Sequence, residues 1–320
     1  MSLSGQVALV TGASRGIGRG IALQLGEAGA IVYITGRKPG QSENGAAGLS
    51  TLEETANEIT GRGGKGIAVF VDHSDMGEVE GLFKRIDEEN HGGLDVLVNN
   101  AYQGVNAITS SIGKKFYQTD PSIWDTINNV GLRNHYYCSV YAARLMVKNG
   151  KGLIVNIGSA GGLQYLFNVA YGVGKQALDR MTADMAEELR DSNTCVVSVW
   201  PGAVKTELLQ KTFNDESSPL SRSEAFKRAV AAGETTEYAG KAVVGLASDR
   251  NRMRKSGKIL IAADLGDEYG FKDVDGTTPP NMRSVHSALQ RSGWIRTASW
   301  VPSWVKIPRA VIWASTNRIG

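Results

Sequence analysis

The stretch QVALVTGASRGIG, residues 6–18, runs from an apolar segment through a glycine-rich turn into a helical pattern. QVALV (6–10) reads as a strand buried on both faces. Gly12, Gly16 and Gly18 then open a helix, with Ser14, Arg15 and Ile17 filling the turn. Backbone amides at such a helix start, clear of side chains, can hold a pyrophosphate. The spacing is G-x-x-x-G-x-G, not the commoner G-x-G-x-x-G. Glycines alone are a weak signal; the order strand, glycines, helix gives them weight.

The same rhythm continues along the chain. Further apolar runs are IVYIT (31–35), IAVFV (67–71), LDVLV (94–98), LIVNI (153–157), CVVSVW (195–200) and KILIA (258–262). Helical patterns lie between them, near 16–28, 51–60, 75–90, 121–148, 169–190 and 235–248. Such alternation predicts an α/β fold: a doubly wound parallel (Rossmann) sheet of about seven strands over residues 1–275. The Gly/Ser-rich stretch KPGQSENGAAGLS (38–50) reads as a mobile insertion, closed by a capping box from Ser50 to Glu53. Residues 276–320 read as a C-terminal extension.

The bulk properties exclude several classes. The chain is 42% hydrophobic and 21% charged, as expected of a globular protein with a sizeable core. A formal net charge of +3, with no dense basic stripe, argues against nucleic acid. Cys138 and Cys195 are far apart in apolar runs and read as buried thiols in a reducing compartment. The histidines, His73, His91, His135 and His286, lack metal-ligand spacing. MSLSGQVALVTG has no basic n-region or cleavage pattern, and no segment reaches the ~18 apolar residues of a spanning helix.

The end of the second strand selects the cofactor. An acid there would bind the ribose 2′-hydroxyl of NAD, but the chain has Thr35-Gly36-Arg37, and the next acid is Glu43. Arg37 and Arg15, with no carboxylate, suit a 2′-phosphate and therefore NADP(H).

AYGVGKQAL (170–178) places Tyr171 and Lys175 one turn apart on one helix face. A free phenol has a pKa near 10, and a neighbouring ammonium favours its phenolate. Ser159 lies just past the end of a buried strand and can hydrogen-bond a carbonyl oxygen as charge develops on it. Ser159, Tyr171 and Lys175 are therefore the candidate catalytic residues for hydride transfer to a carbonyl, with Tyr171 as proton donor.

With TGASRGIG (11–18), DHSD (72–75), NNAY (99–102), IGS (157–159), YGVGK (171–175) and PGAVKT (201–206) in this order, the chain resembles the short-chain dehydrogenase/reductases over roughly residues 5–265. NNVGLR, LQYLFNVAYGVGK and the extended C-terminus resemble the animal "member 1" subgroup. The resemblance implies an adenine contact at Asp72. It also implies a nicotinamide wall of Asn99, Pro201, Gly202, Val204 and Thr206, with Thr206 on the carboxamide. Tyr171 and Lys175 count among the cofactor contacts as well. Homodimerisation through helices 121–148 and 169–190 is implied by the family only.

Two positions depart from the family pattern. Gly131 stands where an asparagine usually kinks the helix and holds a water leading from the lysine to solvent. On a regular helix Asn128 and Asn129 would point elsewhere, so a backbone carbonyl near Gly131 with a water is the expected relay. Tyr102 stands where glycine is common and should narrow the cleft.

Tyr102, Leu163, Tyr165 and Phe167 form the expected apolar pocket for a lipophilic ketone or aldehyde, with packing at the helix entrance as the alternative. The extension carries six of the chain's Lys and Arg residues and no Asp or Glu, together with Trp294, Trp300, Trp304 and Trp313. That composition suits an anionic membrane surface, and Pro302 and Pro308 should keep the segment on a bilayer, not across it. The alternative is packing on the protein itself. The expected location is the cytosolic face of the endoplasmic reticulum as a peripheral protein, or else soluble in the cytoplasm. The leading activity is NADPH-dependent carbonyl reduction, reversible as alcohol dehydrogenation. The rivals are an NADP-binding sensor or scaffold of low turnover and, more weakly, an epimerase or dehydratase.

Overall fold

The computed structural model describes residues 2–38, 40, 50–214, 219–291, 293–302 and 304–316. Most of the insertion expected to be mobile, 38–50, lies outside the described residues. The body runs β1 (Val7–Val10), α1 (Gly16–Glu27), β2 (Ile31–Gly36), α2 (Leu52–Gly61), β3 (Lys65–Phe70), α3 (Met76–Glu89), β4 (Val96–Asn99) and α4 (Val105–Ser111). It continues with α5 (Ile123–Asn128), α6 (Asn134–Asn149), β5 (Gly152–Ile157), α7 (Val169–Glu188), β6 (Thr194–Trp200), α8 (Glu207–Asn214), α9 (Glu224–Ala231), α10 (Thr236–Ser248), β7 (Ile259–Ile261) and α11 (Ala262–Tyr269). Short helices α12 (Val285–Arg291), α13 (Ile295–Ala298) and α14 (Arg309–Thr316) form the extension.

The seven strands pair in parallel in the order β3-β2-β1-β4-β5-β6-β7. Leu9 is registered with Leu97 and Val98 with Val155. Every residue of β1, β4, β5 and β6 is buried, because helices cover both faces. On one face α1, α2, α10 and α11 pack Ile21, Leu25, Ile59, Val243 and Leu265 onto the sheet. On the other, α3 and α6 contribute Val79, Phe83, Cys138 and Met146. Chain order reverses between β1 and β4, so a crevice opens at the carboxyl ends of these strands, where such sheets bind ligands.

The expected helix 121–148 is divided. Between α5 and α6, Asn129–Arg133 form a π turn, whose extra residue shifts the face that each side chain presents. The capping box sits one residue beyond the expected place. Thr51 Oγ1 accepts from the Glu54 amide at 3.1 Å, and Glu54 accepts from the Thr51 amide at 2.8 Å.

The extension folds back on the body. Residues Ser284 and Lys306 form an antiparallel bridge. Arg283, Lys306 and Arg309 converge on the buried Asp264 carboxylate at 2.5, 3.0 and 3.2 Å. Although burial alone would raise it, Asn281, Arg283 and Lys306 hold that carboxyl well below the usual range. Half of the extension's basic residues thus neutralise a carboxylate at the start of α11. Trp294, Trp300 and Trp304 remain 63%, 86% and 77% exposed.

Candidate active site

At the crevice a cleft of about 310 Å³ is lined on one side by Gly12, Ser14, Arg15, Gly16, Ile17 and Gly18. Gly12 adopts φ +67°, and a β-carbon there would lie 2.7 Å from Ala101 Cα, so only glycine fits. The loop is braced from below. Gly12 N donates to Thr35 Oγ1 at 3.2 Å, and Thr35 Oγ1 lies 2.6 Å from His73 Nε2. The other ring nitrogen of His73 lies 2.8 Å from Asn134 Oδ1, which only accepts, so Nδ1 carries the proton and Thr35 donates to Nε2. Burial keeps His73 neutral by lowering its pKa.

This cradle accepts an anion in the structure itself: the Glu207 carboxylate receives the Gly16 amide at 3.0 Å. No acidic residue lies in the first turn of α1. Glycine amides at a helix start, carrying a carboxylate, fit the pyrophosphate of a dinucleotide. Arg37 and Asp72 line the cleft beyond β2 and β3. Among the described residues neither Arg15 nor Arg37 is in an ion pair. Burial raises the Asp72 carboxyl, but the Ser74 amide and hydroxyl and the Arg37 charge bring it below its usual value.

Of the expected nicotinamide wall, Thr206 lines the cleft itself; Pro201, Gly202 and Val204, like Ser159, Tyr171 and Lys175, lie outside its lining. Val204 pairs instead with Glu234, whose backbone also bonds Ala203 and Lys205 at 2.9 Å. Burial pushes the Glu234 carboxyl up to about 8 against the pull of the Gly202 amide. Asn99 is fully buried behind the wall, donating to Ser139 Oγ and Asn156 Oδ1, both at 2.9 Å. Its neighbour Asn100 faces the cleft and donates to the carbonyls of Thr11 and Gly12.

Beyond β5 two of the expected catalytic residues, Tyr171 and Ser159, meet. The Tyr171 hydroxyl donates to Ser159 Oγ at 2.8 Å, and Ser159 Oγ also accepts from Gly161 N at 3.1 Å. Asn168 caps α7 by accepting from the Tyr171 amide, which fixes Tyr171 in the first turn. Lys175, buried one turn on, donates to Ile157 O at 2.9 Å. Burial lowers it to about 8 against the attraction of Asp179, leaving it cationic at neutral pH. Burial raises the Tyr171 phenol, and the Ser159 hydrogen bond opposes this.

Asn128, the last residue of α5 before the π turn, faces α7, where its Nδ2 donates to Ala170 O at 3.2 Å and its Oδ1 closes on Gly174. Tyr102 belongs to both halves of the site: it lines the cleft and meets Tyr171 edge-on at 6.3 Å. Phe167 packs on Tyr171 at 5.3 Å and on Phe226, which meets Phe213. Tyr165 is 69% exposed, and its hydroxyl is tied to Phe167 O; Leu163 is half-buried and outside this aromatic group. Phe167 thus joins an aromatic group with Phe213 of α8 and Phe226 of α9. Phe213 and Phe226 could not be singled out, because that segment carries no motif.

These elements define a class. The short chain dehydrogenase profile matches residues 6–217, and the chain belongs to the short-chain dehydrogenase/reductase family of oxidoreductases. It is 49% identical to human dehydrogenase/reductase SDR family member 1, over 99% of this chain and 98% of that one. The mouse protein of the same name is 49% identical over 97% and 96%. Among solved structures, a metagenomic short-chain oxidoreductase in complex with NADP is 28% identical, with a TM-score of 0.60, over 82% of this chain and 98% of that one.

Proposed function

We propose that the chain uses NADPH to reduce the carbonyl of a lipophilic ketone or aldehyde, reversibly as an alcohol dehydrogenase, through Ser159, Tyr171 and Lys175. The observation that carries this reading is the 2.8 Å hydrogen bond from Tyr171 to Ser159, one turn from a buried lysine and beside the cleft. The cofactor supplies the hydride. Ser159 orients the carbonyl oxygen, Tyr171 donates the proton, and the Lys175 ammonium favours the phenolate that remains. The choice of NADP(H) is supported by Arg15 and Arg37, and by the solved relative in complex with NADP. The run Phe167, Phe226 and Phe213 supports a lipophilic substrate.

A panel of aliphatic and aromatic carbonyls with NADPH, run beside Tyr171→Phe, tests the reading. Substrate-dependent NADPH oxidation lost in the variant is expected. NADPH binding with no oxidation by any carbonyl would favour the sensor instead.

A second reading rests on the three exposed tryptophans, which favour a peripheral seat on an anionic bilayer such as the cytosolic face of the endoplasmic reticulum. Among the described residues no helix is long and apolar enough to cross a membrane. Because Arg283, Lys306 and Arg309 are held by Asp264, binding should depend on the indoles more than on charge. Full-length protein should float with phosphatidylserine vesicles and Trp300→Ala/Trp304→Ala should not; equal flotation removes the idea. Homodimerisation through α6 and α7 belongs to the same set of proposals and is supported by exposed Tyr136, Val169 and Val173.

A further inference from the structure

The two departures from the family pattern, Gly131 and Tyr102, occupy one place. A β-carbon on Gly131 would lie 2.7 Å from Cδ2 and Cε2 of Tyr102. The tyrosine ring therefore fills the volume that a side chain at 131 would take. The same ring lies under the Lys175 ammonium, with Nζ 5.1 Å from its centroid. Its hydroxyl is buried with no hydrogen-bond partner among the described residues, and burial holds that phenol neutral by raising its pKa. The hydroxyl therefore contributes no hydrogen bond among the described residues; what the residue lays against Lys175 is the face of its ring.

The other groups around Lys175 are few. On its own helix stand Tyr171 and Asp179. Burial pushes Asp179 up to about 6, and its Oδ1 is taken by Ser198 and Trp200. From α6 comes His135, which burial and the lysine itself push down to about 3 and keep neutral. The main chain of β5 contributes the Ile157 carbonyl. Beside that carbonyl, the negative face of the Tyr102 ring is laid against the cation.

We propose that Tyr102 is a positioning residue: its ring, seated in the space left by Gly131, holds Lys175 charged and in register with Tyr171. The proposal rests on the catalytic reading of Lys175, and its test does not need turnover. Lys175 is followed through its ε-carbon resonance in full-length protein labelled with [ε-13C]lysine, assigned with Lys175→Met. Tyr102→Phe keeps the ring and should keep the midpoint. Placing 3,4,5-trifluorophenylalanine at position 102 keeps the shape but removes most of the ring's attraction for a cation. It should lower the midpoint by about 0.4–1.5 pH units. In carbonyl reduction the alkaline fall of kcat should then move to higher pH, because a less charged lysine favours the phenolate less. A packing role would move neither. Equal lysine midpoints in the two ring variants overturn the proposal, whatever the fate of Tyr171→Phe.

Discussion

The two walls of the cleft are made of different material. The wall over β1 and β2 is mostly main chain: glycine amides at the start of α1, braced by Thr35 and His73. The wall over β4 and β5 is mostly side chain: Tyr102 lines the cleft, Tyr171 and Lys175 stand against its ring, Tyr171 on Ser159 and Lys175 on Ile157 O, and Asn128 packs against α7. A wall of amides works through local geometry. A wall of ionisable side chains works only if each group is held by another from elsewhere in the chain. The first wall should therefore fail in affinity alone. The second should fail in rate, and its groups should weigh against stability.

The largest effect expected is on rate. Tyr171→Phe removes the proton donor and leaves the ring against Phe167 and Tyr102, so kcat should fall by at least about 10²-fold. NADPH binding, read from its fluorescence, should fall far less than kcat, because the phosphate cradle lies on the opposite wall and Tyr171 is one cofactor contact among many. If affinity fell as far as kcat, the two walls would not be separable. Next comes Arg37→Ala on the first wall. A charged hydrogen bond to a phosphate contributes roughly 1.5–3 kcal/mol, so NADPH should bind about ten-fold or more weakly. NADH, which has no 2′-phosphate, should be unaffected. Equal losses for both cofactors would assign Arg37 to stability and not to selection.

The same contrast explains what could be read from the sequence. The strand–glycine–helix unit was legible because its pattern lies within residues 6–18, although Thr35 and His73, which brace it, do not. The sheet was legible because strands covered on both faces are apolar throughout. The capping box shows how local spacing becomes ambiguous. Ser50/Glu53 and Thr51/Glu54 fit one pattern equally well. Thr51 as the cap turns Leu52, Thr55, Ala56 and Ile59 inward, so contacts made by the whole helix decide a one-residue choice. Asn99 and Asn100 pose the same problem, since which one faces the cleft depends on Ser139 and Asn156, far along the chain. Glu207, one residue past the recognised loop, was out of reach because its partner is the Gly16 amide. The complementarity of Tyr102 and Gly131 was invisible for a further reason. It exists only because a π turn places residue 131 over the ring, and neither residue alone signals the other.

The smallest expected effect concerns stability on the catalytic wall. The unfolded chain holds the Lys175 proton up to its ordinary pKa of about 10.4. In the folded protein burial brings release down to about 8. Between those values the unfolded state binds more protons, so this group makes stability rise with pH across that window. Below about pH 8 both states are protonated, and the folded state carries the whole desolvation penalty of the buried cation. Lys175→Met removes the group together with its slope, at the loss of the hydrogen bond to Ile157 O. In urea unfolding the variant should be the more stable protein at pH 7, on the order of 1–2 kcal/mol, while its turnover is lost. The difference should shrink steadily as pH approaches about 10. A difference that stays constant over that range would mean that the lysine is not strained in its site, and the two walls would then differ in architecture but not in their effect on stability.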